Sequence, residues 1–307
     1  MGFTVAFAGG VGAAKLLKGI VQIISPQDLM IIGNTGDDVE LYGLHISPDL
    51  DIVMYTLAGI VDETKGWGIS GDTFNCLNML DKLGFETWFK IGDRDLAVHM
   101  VRTKLLREGM TLSQATTELC KMLNVKTRLL PMTNDRVRTK VVSGPLTMEF
   151  QEYFVKRGTK DDVTDILFEG AEKAKPAFGV LEGLKNAERI IICPSNPILS
   201  ISPILSIEMI KKELEKTRAC VIGVSPIVAG KTIKGPADRI MTSMGLEASA
   251  YGVAKYYKNL LDCFVIDKVD EDQKEHIEDL DIKVIVTNTI MNRLEDSINL
   301  ARVLMEV

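Results

Sequence analysis

The residues that most restrict the fold come first in the chain. An apolar, strand-like run at 3–8 breaks into Gly9-Gly10-Val11-Gly12, and helical spacing takes over from 13 to 24. The next apolar run, 29–32, ends in the polar turn Gly33-Asn34-Thr35-Gly36-Asp37-Asp38. Strand, glycine loop, helix and strand make a β-α-β unit. Three later runs have the same form: 189–193 leads into Pro194-Ser195-Asn196-Pro197, 219–224 into Ser225-Pro226-Ile227, and 282–286 into Thr287-Asn288. Helical patterns at 204–216, 237–244 and 248–260 separate them. Strands that are apolar throughout must be covered on both faces, so this alternation predicts an α/β, Rossmann-like three-layer fold with a mostly parallel sheet. Ligands of such sheets lie outside the carboxyl ends of the strands, where these polar turns should gather.

The middle of the chain reads differently. Helical patterns at 72–83, 93–107 and 111–123 follow one another, and short alternating strands at 137–142, 146–153 and 163–168 come after them. We read roughly 70–180 as a cap of helices and short strands inserted into a single domain spanning 1–307. With 46% hydrophobic residues the chain can build a large core, yet no apolar run is long enough to span a bilayer. A net charge of −6 offers nothing to a polyphosphate backbone, so a nucleic-acid role is not expected. The start shows no basic segment and no long apolar centre, and a cytoplasmic location is expected. Five scattered cysteines without a C-x-x-C pair read as buried thiols, and three isolated histidines leave carboxylates to supply any metal ligands.

Several segments suit chemistry. Gly9, Gly10 and Gly12 lie between strand and helix, where backbone N–H groups and the helix dipole favour a phosphate, and Lys15 adds a cation at the first turn. Lys15 stands where a dinucleotide fingerprint has its third glycine, and no Gly-Lys-Ser/Thr follows as in a P-loop. Asp37 and Asp38, with Asp51 from Ser47-Pro48-Asp49-Leu50-Asp51, are candidate Mg²⁺ ligands, since this hard ion takes one or two carboxylates plus phosphate oxygens. Asp49 is assigned to capping the helix that starts near residue 50, and Asp51 to function. Asp93 and Asp95 are placed to start the helix at 93, Lys90 has no capping role, and His99 lies one turn after Asp95, where a structural hydrogen bond is expected. Trp67 between Gly66 and Gly68 is suited to stacking on a flat ring, and Ser195 and Asn196 between prolines can hold phosphate or base.

Taken together, these segments resemble the 2-phospho-L-lactate transferase family of coenzyme F-420 biosynthesis. The resemblance rests on Ala8-Gly9-Gly10-Val11-Gly12-Ala13-Ala14-Lys15, Asn34-Thr35-Gly36-Asp37-Asp38, Gly43 to Asp51, Gly66-Trp67-Gly68, Lys90 with Gly92-Asp93-Arg94-Asp95, Leu129 to Asp135, Pro194-Ser195-Asn196-Pro197 and Ser225-Pro226-Ile227. It covers at least residues 3–267 and is looser beyond 268. It implies transfer of a phosphorylated three-carbon acid from lactyl- or enolpyruvyl-2-diphospho-5′-guanosine to the ribityl hydroxyl of the deazaflavin FO, with release of GMP and with Mg²⁺ present. It also implies that Asp51 and Lys90 contact FO, with Trp67 as a wall for the ring, and that Asp51 is the catalytic candidate. Gly9, Gly10, Gly12, Lys15, Asn34, Ser195 and Asn196 are then the candidates for the nucleotide diphosphate, and a homodimer is expected. Val11 and the Gly-Asp-Asp wording lean toward the enolpyruvyl-using members. The alternative is a nucleotide- or nucleotide-sugar-binding regulator of the related gluconeogenesis-factor family. That family follows its acidic pair with a Gly-Gly-Ser-Ser-type run, where this chain has Val39-Glu40-Leu41-Tyr42.

Overall fold

The computed structural model describes residues 2–307. In chain order the strands are β1 (Thr4–Ala8), β2 (Leu29–Gly33), β3 (Val39–Leu41), β4 (Leu44–Ile46), β5 (Arg128–Pro131), β6 (Arg138–Ser143), β7 (Leu146–Glu149), β8 (Asp165–Glu169), β9 (Arg189–Ile192), β10 (Cys220–Val224), β11 (Ile227–Val228), β12 (Lys231–Thr232), β13 (Cys263–Asp267) and β14 (Lys283–Thr287). The helices are α1 (Gly10–Ile20), α2 (Pro48–Leu57), α3 (Asn75–Lys82), α4 (Asp93–Arg107), α5 (Leu112–Met122), α6 (Val180–Asn186), α7 (Ser202–Leu205), α8 (Glu208–Lys216), α9 (Ala237–Ser243), α10 (Ala250–Tyr256), α11 (Lys274–Glu278) and α12 (Leu294–Met305). Seven strands form one sheet in the order β14-β13-β10-β9-β1-β2-β5. Every neighbouring pair in it is parallel.

The side chains of this sheet alternate between two cores, as a strand covered on both faces requires. Val5 and Phe7 of β1 join Met30, Ile32, Ile190 and Ile192 on one face, with α6, α8, α9, α10 and the antiparallel sheet β7-β6-β8. Ala6 and Ala8 join Leu29, Ile31 and Ile191 on the other, with α1, α2, α5 and α12. Helix α1 buries Ala13, Ala14, Leu16, Leu17 and Ile20 along one stripe. Its Gly19 lets α12 approach so closely that a Cβ there would strike the backbone of Ser297.

The three-layer α/β reading holds, with two strands added. β5 and β13 are parallel members of the sheet that the sequence reading did not single out. β5 is only four residues long and ends in proline, so it carries little strand signal of its own. Its place beside β2 means that the stretch at 70–180 is not one insertion: α3 to α5 precede a return to the sheet, and the antiparallel β6 to β8 follow it. The run at 146–153 stops as a strand at Glu149 and continues as a π-helical turn, Glu152–Lys156. The helix expected over 204–216 is two, α7 and α8. Among the described residues no helix is long and apolar enough to cross a membrane.

Candidate functional site

The strand order reverses between β1 and β9: from β1 the chain moves to β2 on one side, while β9, β10, β13 and β14 extend the other. Such a switch point opens a crevice at the carboxyl ends of the strands, because the connections leave on opposite faces. Here the glycine turn after β1 meets the Pro194-Ser195-Asn196-Pro197 turn after β9. Gly9 N–H lies 3.4 Å from Ser195 Oγ. A Cβ on Gly12 would overlap the Pro194 carbonyl oxygen, so glycine is required for this contact. Gly10 adopts φ 71° and starts α1 directly, with Gly9 as an N-cap that has no side chain to offer. The first N–H groups of an eleven-residue helix therefore open onto the crevice. A cavity of about 540 Å³ fills it, lined by Gly9, Gly10, Gly12 and Lys15 among others.

Two carboxylates stand at the floor of this cavity, Asp37 and Asp49. Asp49 is not the cap it was expected to be: Ser47 is the N-cap residue of α2, and Asp49 turns inward. Its Oδ2 accepts from Asn34 Nδ2 at 2.9 Å. Burial pushes the Asp49 carboxyl up to about 6, against the Asn34 amide and the Gly10 N–H, which favour its anion. Burial, and next the charge of Asp49, hold Asp37 well above the usual carboxylate range. Asp37 Oδ1 has no hydrogen-bond partner among the described residues. Two buried, mutually repelling carboxylates beside a helix N-terminus suit a hard divalent cation shared with phosphate oxygens. Among the described residues no three His, Cys, Asp or Glu side chains form a complete cage, so such an ion would draw its remaining ligands from substrate and water.

This pair differs from the expected metal set of Asp37, Asp38 and Asp51. Asp38 does not line the cavity; its Oδ2 takes His45 Nε2 and Ser47 Oγ, both at 2.9 Å. Asp51 does line it, but both its oxygens are engaged by the guanidinium of Arg102, Oδ2 at 3.0 Å from Nη1 and Oδ1 bound to Nη2. Asp49 and Asp51 are two residues apart on α2, about 200° around the helix, so one faces the glycine turn and the other α4. Asn34 is also displaced from its expected role. It sits behind the cavity wall, with Nδ2 on Asp49 and on the Leu199 carbonyl and Oδ1 on Gly36 N–H, so it positions Asp49 rather than lining the cavity.

The Asp51 side holds a buried polar cluster that the sequence reading recognised only in the Asp95–His99 spacing. Arg102 of α4 has no exposed surface. His99 Nδ1 lies 3.3 Å from Arg102 Nη1 and 3.7 Å from Asp51 Oδ2, and its Nε2 is 3.2 Å from Asp95 Oδ1. Tyr55 donates to the same Asp95 oxygen at 2.6 Å. Asp51, Tyr55, Asp95 and His99 all form part of the cavity wall. Asp93 and Asp95 stand in the first turn of α4, as expected; the Asp93 carboxylate also caps α3, accepting from Cys76 N–H at 2.9 Å and Asn75 N–H at 3.0 Å, while Asp72 accepts from Arg94 and Asp95 N–H groups and caps α4.

The remaining wall is cationic and aromatic. Lys15, Lys65, Lys90 and Lys234 line it. Lys15 donates to the Met291 carbonyl at 2.7 Å, and burial, with the nearby Lys234, lowers its pKa. Trp67 is 41% exposed, with the Lys65 ammonium 5.6 Å from its ring centroid. Gly66 and Gly68 on either side adopt φ 78° and 69°. Phe150 and Phe154 are stacked at 5.4 Å on the opposite, π-helical side, and Gln151 between them donates to the Asp37 carbonyl at 3.2 Å. Ser195 lines the cavity, as does Asn196, whose Oδ1 caps the following turn while its buried Nδ2 has no partner among the described residues.

Comparison with known proteins identifies the family and the fold. The sequence profile of the family described as 2-phospho-L-lactate transferase CofD matches residues 4–296, beyond the point where the resemblance was read as loosening. Over 305 residues the chain is 41% identical to a phosphoenolpyruvate transferase of Kitasatospora aureofaciens, covering 97% of this chain and 95% of the relative. Over 303 residues it is 39% identical to a 2-phospho-L-lactate transferase of Methanocaldococcus jannaschii, covering 97% and 96%. A solved structure from Bacillus halodurans, a member of the UPF0052 family, shares the fold with a TM-score of 0.65 at 14% identity, covering 99% of this chain and 98% of that one. A profile match over nearly the whole length, with relatives of about 40% identity, settles the family: the chain belongs to the 2-phospho-L-lactate transferases.

Proposed function

We propose that the chain transfers a phospholactyl or phosphoenolpyruvyl group from a GDP-linked three-carbon acid to the ribityl hydroxyl of FO, releasing GMP. The observation that carries this reading is the meeting, in one cavity, of a helix N-terminus behind Gly9, Gly10 and Gly12 with the buried carboxylates Asp37 and Asp49. That combination favours a diphosphate with a divalent cation over a neutral ligand. Gly10 to Gly12 hold the diphosphate through backbone N–H groups, Lys15 adds charge, and Ser195 and Asn196 contact the nucleotide. Asp37 and Asp49 would hold Mg²⁺, which would supply positive charge to offset that of the diphosphate and of the departing GMP.

The acceptor binds on the other side of α2, toward Asp51 and Lys90, with Trp67 as a wall for its flat ring. Asp51, held by Arg102 and lining the cavity, accepts a hydrogen bond from the ribityl hydroxyl and orients its oxygen toward phosphorus. Attack in line with the bond to GMP then needs positioning and charge neutralisation and no covalent enzyme intermediate. The test is incubation with FO and each donor in turn, with mass measurement of the product. A mass equal to FO plus the phosphorylated acid, with GMP released, is expected, and failure with both donors refutes the reading.

A further inference from the structure

We propose that Lys234, in the loop between β12 and α9, binds the carboxylate of the three-carbon acid and so selects the donor over plain GDP. The inference rests on the reading above, in which a GDP-linked acid occupies the cavity and Trp67 walls the acceptor ring. Both ends of the loop are fixed. Asp238 N–H donates to Thr232 Oγ1 at 2.9 Å, and that hydroxyl donates to Asp238 Oδ1 at 3.1 Å, which ties the end of β12 to the first turn of α9. Pro236, the residue before α9, is buried. Behind the loop, Asp270 accepts from Ala229 N–H at 3.0 Å and holds the β11-β12 turn. Ile233 and Lys234 are thereby presented to the cavity, which they line. The Lys234 side chain reaches the facing loop: a Cβ on Gly66 would overlap its ammonium, and the same Cβ would lie 3.7 Å from Val11 in the first turn of α1. The ammonium therefore stands beside the N-terminus of α1 and against the residue that precedes Trp67.

This positive charge has no acid of its own. The two acids of the facing loop are engaged elsewhere, Asp62 by Lys65 at 3.0 Å and Glu63 by Lys18, and no acid pairs with Lys234 among the described residues. The charged group that Lys234 does reach is Lys15, a second cation of the same wall. Two ammonium groups brought together at a cavity wall with no carboxylate between them raise the local potential for an anion. The other lysines of the wall have different duties. Lys65 holds Asp62 and lies over the rings of Trp67 and Phe74, and Lys15 donates to the Met291 carbonyl at 2.7 Å. Lys90 belongs to the acceptor side.

The chemistry of the donor says which anion this is. Its two phosphates are followed by a carboxylate, separated from the nearer phosphorus by one oxygen and one carbon. The N–H groups at the start of α1 and the Asp37–Asp49 site serve the phosphates. The carboxylate, left unpaired against the apolar side chains of Val11 and Ile233, would lose its hydration without compensation. The acid also travels with phosphorus from GMP to the acceptor, so its cation has to stand where the donor and acceptor halves of the cavity meet. Lys234, between Lys15 and the Gly66-Trp67 turn, stands there. An ammonium on a flexible stem has rotatable donors and can keep its contact as the group moves.

The test compares the full-length parent with Lys234→Met and Lys234→Gln, in the presence of Mg²⁺, by calorimetry with three ligands. These are the lactyl donor, GDP, and the isopropyl ester of GDP, which keeps the shape of the donor and lacks its carboxylate. Both variants should bind the donor about 10- to 100-fold more weakly than the parent does, the range expected for loss of a charge-assisted hydrogen bond. Affinity for GDP and for the isopropyl ester should stay within about threefold of the parent, as should affinity for FO followed by its fluorescence. Donor affinity unchanged in both variants overturns the proposal. So does an equal loss for all three ligands, which would place Lys234 on the diphosphate. If the parent turns over FO with neither donor, the functional reading fails and this assignment with it. If the parent is active while the variants keep their donor affinity, the function stands and the assignment of Lys234 alone is refuted.

Discussion

Replacing Asp49 by Asn should make the protein more stable and inactive at the same time, and the sign depends on pH. Asp49 is buried, and its carboxyl rises from 3.8 to about 6. Between those values the folded state binds more protons than the unfolded state, so stability falls as pH rises through that window. A rise of that size corresponds to about 3 kcal/mol of destabilisation at any pH well above 6. Asn cannot ionise, so the penalty disappears. Against this, one carbonyl oxygen must serve both Asn34 Nδ2 and Gly10 N–H, and losing one of these bonds costs about 1 kcal/mol. The net gain near pH 8 is about 2 kcal/mol, about 3 °C in Tm for a domain of this length. At pH 5, between the two values, about half of the penalty remains and the gain should shrink to about 0.5 kcal/mol; below about pH 4.5 it should reverse. Thermal melts of both proteins at the two pH values, without divalent cations, check this. Mg²⁺ with GDP should then raise the Tm of the parent and leave that of the variant unchanged. Equal destabilisation of Asp49→Asn at pH 5 and pH 8 would refute the argument.

Other substitutions test the remaining contacts. Arg102→Met alone leaves Asp51 buried without its partner and should cost about 3–5 kcal/mol in denaturant melts, whereas Arg102→Met with Asp51→Asn should cost at least about 2 kcal/mol less than the sum of the single changes. Gly12→Ala forces the start of α1 away from the Pro194 carbonyl and should lower stability by about 1–3 kcal/mol and weaken GDP binding by about tenfold or more, measured by calorimetry. Trp67→Ala should weaken FO binding, followed by deazaflavin fluorescence, with GDP affinity within about twofold of the parent. Asp93→Asn should speed amide hydrogen exchange in α3, which Asp93 caps, and leave α4, which Asp72 caps, protected.

Much of the site was visible in sequence because its parts are local. A strand that breaks into glycines before a helix exposes backbone N–H groups wherever it occurs, and Gly9, Gly10, Gly12, Lys15, Ser195 and Asn196 do line one cavity. The roles of the carboxylates were harder to assign. The spacing of Asp49 and Asp51 says that they diverge around α2, but not which meets Asn34 and which meets Arg102. Arg102 itself lies within α4, and nothing local in the sequence marks it as fully buried. Strand β5 is fixed by its neighbour β2, since its own four residues, ending in proline, carry little signal.

By itself, then, the sequence determined the layered α/β fold and the glycine turn at the first strand, because both follow from hydrophobic period and backbone freedom within a few residues. Only the tertiary structure decided that β9 lies beside β1, which sets the Gly9 turn against Pro194 and opens the crevice. It also decided that Asp49 joins Asp37 while Asp51 joins Arg102, His99 and Asp95. Such pairings are contacts between segments that are distant in the chain, and their energies depend on burial and distance, which spacing along the sequence does not encode.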